Sequence, residues 1–336
     1  MKYKTVTYNE RKSEIPDLES ALQIAHFSGV NWKDYLDIVQ KPKKHYRYFH
    51  IKKKRGGYRT ILSPDTNLRK IQNFIKIHIL EKLSIHHAAH GFVPKKSITT
   101  HATSHINSKI ILNVDLRDYF PSISANRLYY LFGKICQYDN KITQDLVSIC
   151  MYNNGLPQGA CTSPIISNIV SYKLDMVLEK YCKKREIRYT RYADDLTFSG
   201  DINDIYQGFF TKVAYLIKQE GFEINDKKTR IGNTKKGTIV TGLNVINNKI
   251  QVPRNYIKRI ETELYYISKH GIYDHKKHLQ INNRNYLEHL KGKIMFVSHV
   301  ENEIGNVLIE KYNQLIKEIP TINGSILDII PQTINQ

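Results

Sequence analysis

The stretch Arg188–Gly200 reads RYTRYADDLTFSG and sets two adjacent carboxylates, Asp194 and Asp195, among aromatic, β-branched and apolar residues that otherwise suit a half-buried strand. In a straight strand neighbouring side chains face opposite sides, so one acid would be driven into the core, where an unpaired carboxylate is costly. Two arrangements relieve the conflict: a β-turn, which accepts Asp, or a bound cation that compensates the charge. On this stretch alone a solvated surface hairpin is the plainer of the two. A second acidic point shifts the balance. The apolar run KIILNVDL closes on Asp115, with Asp118 three residues on. If that run neighbours the first in one sheet, Asp115, Asp194 and Asp195 converge at one edge. Such a set of hard oxygen ligands suits a pair of Mg²⁺ ions, which activate an attacking oxygen and stabilise a leaving one. The plain alternative is that Asp115 and Asp118 merely end a strand.

The surroundings point to a phosphate substrate. Among 336 residues, 51 Lys and Arg stand against 31 Asp and Glu, a formal charge of +20. Such an excess fits a polyanionic partner, since Lys and Arg neutralise phosphates and release counterions. A general enrichment in Lys, Ile and Asn would also raise the charge, but the cations cluster. KPKKHYRYFHIKKKRGGYRT (Lys41–Thr60) holds nine Lys or Arg and no carboxylate, interleaved with Tyr46, Tyr48, Phe49 and Tyr58. Basic residues mixed with aromatics suit phosphates and stacked bases. Cys136, Cys150, Cys161 and Cys182 show no CxxC spacing, so neither a disulfide framework nor a zinc site is indicated. No signal-peptide pattern and no apolar run of membrane-spanning length occurs, which implies a cytoplasmic protein with no membrane partner.

The elements that must position these acids alternate in type. IPDLESALQIAHFSG implies a helical N-terminal extension over residues 1–44. YRYFHIKKKRGGYRTILSP implies two strands joined through Gly56-Gly57, and the run after Asn67 an amphipathic helix. NRLYYLFGKI, Ile165–Lys184 and IYQGFFTKVAYLIKQEG read as helices, and TIVTGLNVINNKIQV as short strands turning at Asn247-Asn248. From Pro253 onward the chain reads as helical and nearly neutral, with eleven Lys or Arg against nine acids, and its end as fraying. The fold class is α+β with a helical C-terminal subdomain.

In this order and spacing, NVDLRDYFPSI, GLPQGACTSPIISN, RYADDLTFSG and GFEINDKKTRIG resemble the palm motifs of reverse transcriptases. KKKRGGYRTILSPD is similar to their fingers motif, and AHGFVPKKSITTHA to the fingers-to-palm connection. The resemblance covers roughly residues 45–250. Within the family, Val240-Thr241-Gly242 resembles a triplet that marks bacterial retron enzymes. HATSH (His101–His105) lies where those enzymes carry an Asn-Ala-x-x-His signature, with His101 replacing the Asn.

The resemblance implies a right-hand polymerase: fingers and palm over 45–252, the palm with an antiparallel sheet, and a helical thumb and RNA-recognition region over 253–336. It implies that Asp115 and Asp194 bind two Mg²⁺ ions, with the Leu116 carbonyl as a further ligand and Asp195 as the second acid of the motif. Phe120 would be the gate against a ribose 2′-hydroxyl. Gln158 and Gly159 would line the nucleotide pocket, and Arg59 and Lys53 would grip the triphosphate. Lys228, or its neighbour Lys227, would protonate the leaving pyrophosphate. Tyr192 would pack near the primer end, and His105 and the Val240–Gly242 triplet would contact primer or RNA. Each has a plainer alternative as a core aromatic, a surface lysine or a loop residue.

The implied activity is RNA-directed DNA synthesis on a structured noncoding RNA, primed from a 2′-hydroxyl, with branched RNA–DNA as product. The implied partners are that RNA, RNA/DNA hybrid, dNTPs and an effector protein in antiphage defence. The alternatives are a group II intron-like, diversity-generating or other defence-associated reverse transcriptase, a palm-type cyclase, or a non-catalytic RNA-binding protein on the same scaffold. The intact acids and Gln158 weigh against the last.

Overall fold

The apolar run Ile110–Asp115 forms β5, and five of its six residues are buried, as expected of a strand covered on both faces. It lies inside a four-stranded antiparallel sheet of order β6-β7-β5-β8, with β6 Arg188–Tyr192, β7 Asp195–Gly200 and β8 Arg230–Asn233. The computed structural model describes residues 3–8, 11–53, 56–201, 208–281 and 285–318. Register sets the chemistry: Asp115 stands opposite Asp195 across the β5–β7 ladder, and Tyr192 opposite Asp195 across β6–β7. That leaves Ala193 and Asp194 as a two-residue hairpin loop, with Ala193 at φ 55.

The chain divides into two compact units, Met1–Asn233 and Thr234–Gln336. The division falls 19 residues before the boundary expected at 252/253. The cause is in the hydrogen bonding: β8 completes the β5 sheet, whereas β9 Thr238–Val240, β10 Leu243–Ile246 and β11 Lys249–Gln251 pair only with one another.

In the first unit, helices Ala21–Ser28, Trp32–Gln40, Thr66–His78 and Asn140–Cys150 pack on one another. The helix Thr66–His78 buries Leu68, Ile71, Phe74 and Ile75, and Asp65 caps it by accepting from the Leu68 N–H at 2.9 Å. Helices Ser163–Val170, Tyr172–Lys183 and Phe209–Gln219 contribute Ile166, Leu178 and Val213 to the same core. The start of the last helix was expected at Ile205, and residues 202–207 lie outside the described residues. The basic stretch forms the hairpin β3 Tyr46–Lys52 and β4 Tyr58–Pro64, with Gly56 and Gly57 both at positive φ in its turn.

The N-terminal extension is not wholly helical. Tyr3–Tyr8 (β1) and Arg11–Pro16 (β2) form an antiparallel hairpin before the first helix. The alternating YKTVTY is rich in β-branched and aromatic residues, and Pro16 bars the helix from extending backward.

In the second unit, β9 to β11 form a meander with Asn247 and Asn248 both at positive φ in the β10–β11 turn. Helices Arg254–His278, Tyr286–Val300 and Asn302–Glu318 follow, burying Leu264, Leu290, Ile294, Val297, Leu308 and Leu315. The first is broken at Gly271, where φ is 74 and ψ 162. Gly305 lets two helices cross closely, because a Cβ there would stand 2.1 Å from the Ser298 Cα. The terminal segment expected to fray lies outside the described residues.

Candidate active site

One cleft of about 940 Å³ in the first unit gathers Asp115, Asp194 and Asp195 with Lys53, Arg59, Phe120, Gln158, Gly159, Tyr192 and Lys228. Its acidic edge is built by backbone bonds between distant segments. The Leu116 N–H donates to the Asp194 carbonyl at 2.9 Å, and the Asn225 N–H to the Asp115 carbonyl at 2.8 Å. Asp115 is only 6% exposed; its Oδ2 accepts from the Lys228 Nζ at 2.8 Å, while its Oδ1 is buried with no hydrogen-bond partner.

Loss of hydration, then the charge of Asp115, raises the Asp194 carboxyl above its usual range. Surrounding protein mass and the charges of Asp194 and Asp115 push Asp195 up to about 7. Its side chain is nonetheless open to the cleft, so water moderates the shift there. The upward direction stands because three acids share one edge. This arrangement fits a divalent cation: the donors are hard oxygens, one is orphaned, and their mutual repulsion is what such a charge would relieve.

The facing wall comes from the loop Gly155–Ala160. The Leu62 N–H of β4 donates to the Gln158 carbonyl at 2.7 Å, and the Leu156 N–H to the Phe120 carbonyl at 3.0 Å. Gly159 sits at φ 130, and a Cβ on it would lie 2.5 Å from the Leu62 carbonyl oxygen. Its glycine is therefore required by the close approach of strand β4. Phe120 is half-buried, its ring beside Tyr119 at 5.5 Å and Phe92 at 6.2 Å. Arg59 and Lys53 are exposed on the basic hairpin that borders the cleft.

Two expectations meet a different arrangement. His105 is 0% exposed, its Nδ1 2.8 Å from the Ser199 Oγ of β7 and its Nε2 2.6 Å from the Thr190 Oγ1 of β6. So enclosed, it cannot touch primer or RNA; it ties the strands that carry the acidic hairpin. Val240 is likewise fully buried and pairs with Leu243, leaving Thr241 and Gly242 as the β9–β10 turn, both at positive φ. Only that turn is open to a ligand, and it belongs to the second unit. His101, also fully buried, places its ring 5.8 Å from Tyr192, which lines the cleft.

The group that sequence reading missed is Arg191. It is 0% exposed, and its guanidinium forks onto Asp175 through Nε to Oδ1 and Nη2 to Oδ2, each at 2.7 Å. Its Nη1 donates to the Tyr119 hydroxyl at 2.9 Å, the Asn168 Oδ1 at 3.1 Å and the Ala193 carbonyl at 3.2 Å. Burial works against its charge, and Asp175 more than compensates. Segment Ala88–Gly91 lies along β6: Arg191 N–H donates to the Ala88 carbonyl at 2.8 Å and His90 N–H to the Arg191 carbonyl at 2.7 Å. A Cβ on Gly91 would stand 2.6 Å from the Ala193 nitrogen. One signal was available: Tyr189 and Arg191 share a strand face, and Asp175 interrupts an otherwise apolar helix stripe beside Leu174 and Leu178.

Away from the cleft, His86, His87 and Glu179 bring ligand-type atoms within 4.8 Å of one another. There the His86 Nδ1 accepts from the Ala88 N–H at 3.3 Å and Lys183 pairs with Glu179 at 3.2 Å, so the cluster already balances its own charge.

A basic cleft with carboxylates on an antiparallel palm sheet defines a metal-dependent polymerase of the right-hand type. The chain belongs to the reverse transcriptase family: the family described as "Reverse transcriptase (RNA-dependent DNA polymerase)" matches residues 51–251. It is 30% identical to the retron Ec86 reverse transcriptase of Escherichia coli, over 93% of this chain and 94% of that one. It is 32% identical to the retron Ec73 reverse transcriptase of Escherichia coli, over 85% and 92%. It is also 30% identical to the retron Mx162 reverse transcriptase of Myxococcus xanthus, over 91% and 69%. The chain is thus an RNA-directed DNA polymerase of retron kinship.

Replacing Arg191 with Met strands a buried carboxylate and should cost roughly 3–5 kcal/mol of stability, read by denaturant unfolding. Pairing Arg191→Met with Asp175→Leu should recover much of that loss. A second expectation concerns pH. Metal binding needs the ionised acids, and the raised carboxyls of Asp194 and Asp195 hold their protons to higher pH than ordinary carboxylates do. Affinity for Mg²⁺, measured by titration calorimetry, should therefore rise as pH passes from 6 to 8, with proton release. The sign for folding is opposite: stability from these acids is present at low pH and lost as pH rises through their folded pKa. Asp195→Asn should accordingly raise Tm at pH 8 and leave it unchanged at pH 3.

Proposed function

We propose that this chain is a retron reverse transcriptase that copies part of a structured noncoding RNA into branched RNA–DNA, primed from a 2′-hydroxyl of that RNA. The observation that carries the polymerase site is the convergence of Asp115, Asp194 and Asp195 on one edge of a cleft whose other wall is basic. Asp115 and Asp194 would hold two Mg²⁺ ions, with the Leu116 carbonyl and Asp195 as further ligands, and such ions would supply activation of the primer hydroxyl and charge neutralisation on the leaving pyrophosphate.

The remaining work falls to side chains. Lys228, whose Nζ lies 2.8 Å from the Asp115 Oδ2, donates a proton to the leaving pyrophosphate in this reading. Arg59 and Lys53 bind the triphosphate from the fingers hairpin, Arg59 through its planar fork. Gln158 and Gly159 form the nucleotide wall that β4 holds in place. Phe120 bars a 2′-hydroxyl, its ring fixed between Phe92 and Tyr119. Tyr192, packed on His101, supports the primer end.

The second unit, with its three helices, serves as the thumb and RNA-recognition region; its small net charge implies recognition by shape more than by raw charge. The noncoding RNA, RNA/DNA hybrid and dNTPs are the ligands, and an effector protein in antiphage defence is the partner. Kinship with retron enzymes over most of the chain supports this.

Extension of a DNA primer on an RNA template with Mg²⁺ should fall by about three orders of magnitude in Asp194→Ala/Asp195→Ala, with the fold retained by circular dichroism. Undiminished extension would remove the metal assignment. Phe120→Ala should relax discrimination against ribonucleotides by about 10–100-fold in single-nucleotide kcat/KM; an unchanged ratio would take the gate role from it.

A further inference from the structure

The second unit holds a cavity of about 710 Å³ that the polymerase reaction does not use. Its wall is a row of nearly parallel rings. Tyr266 stacks with His270 at 6.0 Å and 23°, and with His275 at 6.3 Å and 17°. The first pair follows from helical i, i+4 spacing. The second does not. Nine residues at 100° each would put position 275 on the opposite face from 266 in an unbroken helix. The break at Gly271, with φ 74, returns His275 to the same wall.

The polar groups around this wall are of two kinds. Glu263 is committed: it accepts from Lys293 at 2.9 and 3.1 Å and from the Tyr286 hydroxyl at 2.8 Å. Asp274 is not. It is exposed at the cavity, and among the described residues no hydrogen bond or ion pair engages its carboxylate. Lys277 stands on the rim and supplies a cation.

A flat π surface, an acceptor-only carboxylate and a neighbouring cation match one unpaired nucleotide: ring on ring, base edge on acid, phosphate on lysine. The acid also selects the base. Guanine offers two adjacent donors, N1–H and N2–H, to a carboxylate's two oxygens. Adenine and cytosine set one amino donor beside an acceptor nitrogen, and uracil flanks its single N–H with carbonyls. Tyr266 is 46% exposed, so its ring has face left to cover.

We propose that this pocket takes up a single unpaired guanosine of the RNA that the enzyme copies. The inference rests on the retron reading for the source of that RNA, and on the pocket alone for its base chemistry.

The test uses the full-length protein at fixed salt and fluorescently labelled RNA hairpins that differ at one loop position, G, inosine, A or U, with affinity read by anisotropy. The G loop should bind at least about fivefold more tightly than the A or U loop, and inosine, which lacks the N2 amino group, should fall between. Asp274→Asn should erase the preference, and Tyr266→Ala should weaken the G loop by about fivefold or more while Tyr266→Phe restores it. Thermal unfolding of each variant separates loss of the pocket from loss of fold. Equal affinity for the loops in the unaltered protein, or a G preference that survives Asp274→Asn, overturns the proposal. GMP, unlike AMP, should displace the G loop only in large excess; GMP binding as tightly as the G loop would move the site to a free nucleotide and overturn the RNA source. Extension of oligo(dT) on poly(rA) by the unaltered enzyme tests the polymerase reading separately.

Discussion

The catalytic geometry depends on a buried ion pair that never meets substrate. Arg191 and Asp175 are both fully enclosed, and a lone charge in either place would be expensive. Because the pair is bidentate and Nη1 is also held by Tyr119, Asn168 and the Ala193 carbonyl, the strand β6 is anchored in register behind the sheet. That position fixes the Ala193 carbonyl, and through it the turn on which Asp194 sits. Tyr119 joins the same network through its hydroxyl and lies directly before Phe120. A single charged contact behind the sheet thus bears on both the acidic edge and the part of the cleft wall that Phe120 forms. A core concerned with stability alone is served as well by apolar residues; a pair with directional bonds instead specifies one arrangement.

In front of the sheet the electrostatic logic reverses. Behind, charges are matched; in the cleft, among the described residues, three acids share one lysine contact, that of Lys228 with Asp115, beside a basic hairpin. The imbalance is stored as raised carboxyl pKa values and an orphaned Asp115 oxygen. A site of this kind is destabilising until a cation arrives, which is the usual relation between function and stability at metal sites.

Much of this was legible in the sequence because the informative signals are local. Alternation and β-branching marked the strands, the glycine pair marked the fingers hairpin, and acids inside apolar runs marked the site. What escaped were features decided by partners far along the chain. Nothing near Arg191 announces Asp175, and nothing near His105 shows that Thr190 and Ser199 will enclose it. Gly159 could be read as a site of close approach, but not that the approaching group would be Leu62. The N-terminal hairpin was overlooked for a different reason: its alternating pattern lay beside a stronger helical one and was absorbed into it. The unit boundary shifted because strand pairing, rather than composition, decides where β8 ends and β9 begins.

The segment Ala88–Gly91 has a consequence for solubility. β6 is the outermost strand of its sheet, and an uncovered border of that kind offers its amides and carbonyls to any passing chain. The parallel bridge between Ala89 and Arg191, with its two flanking hydrogen bonds, occupies the Arg191 amide and carbonyl from within. Segment Ala88–Gly91 therefore also covers this border where it meets Arg191, the kind of cover that limits pairing with a second chain.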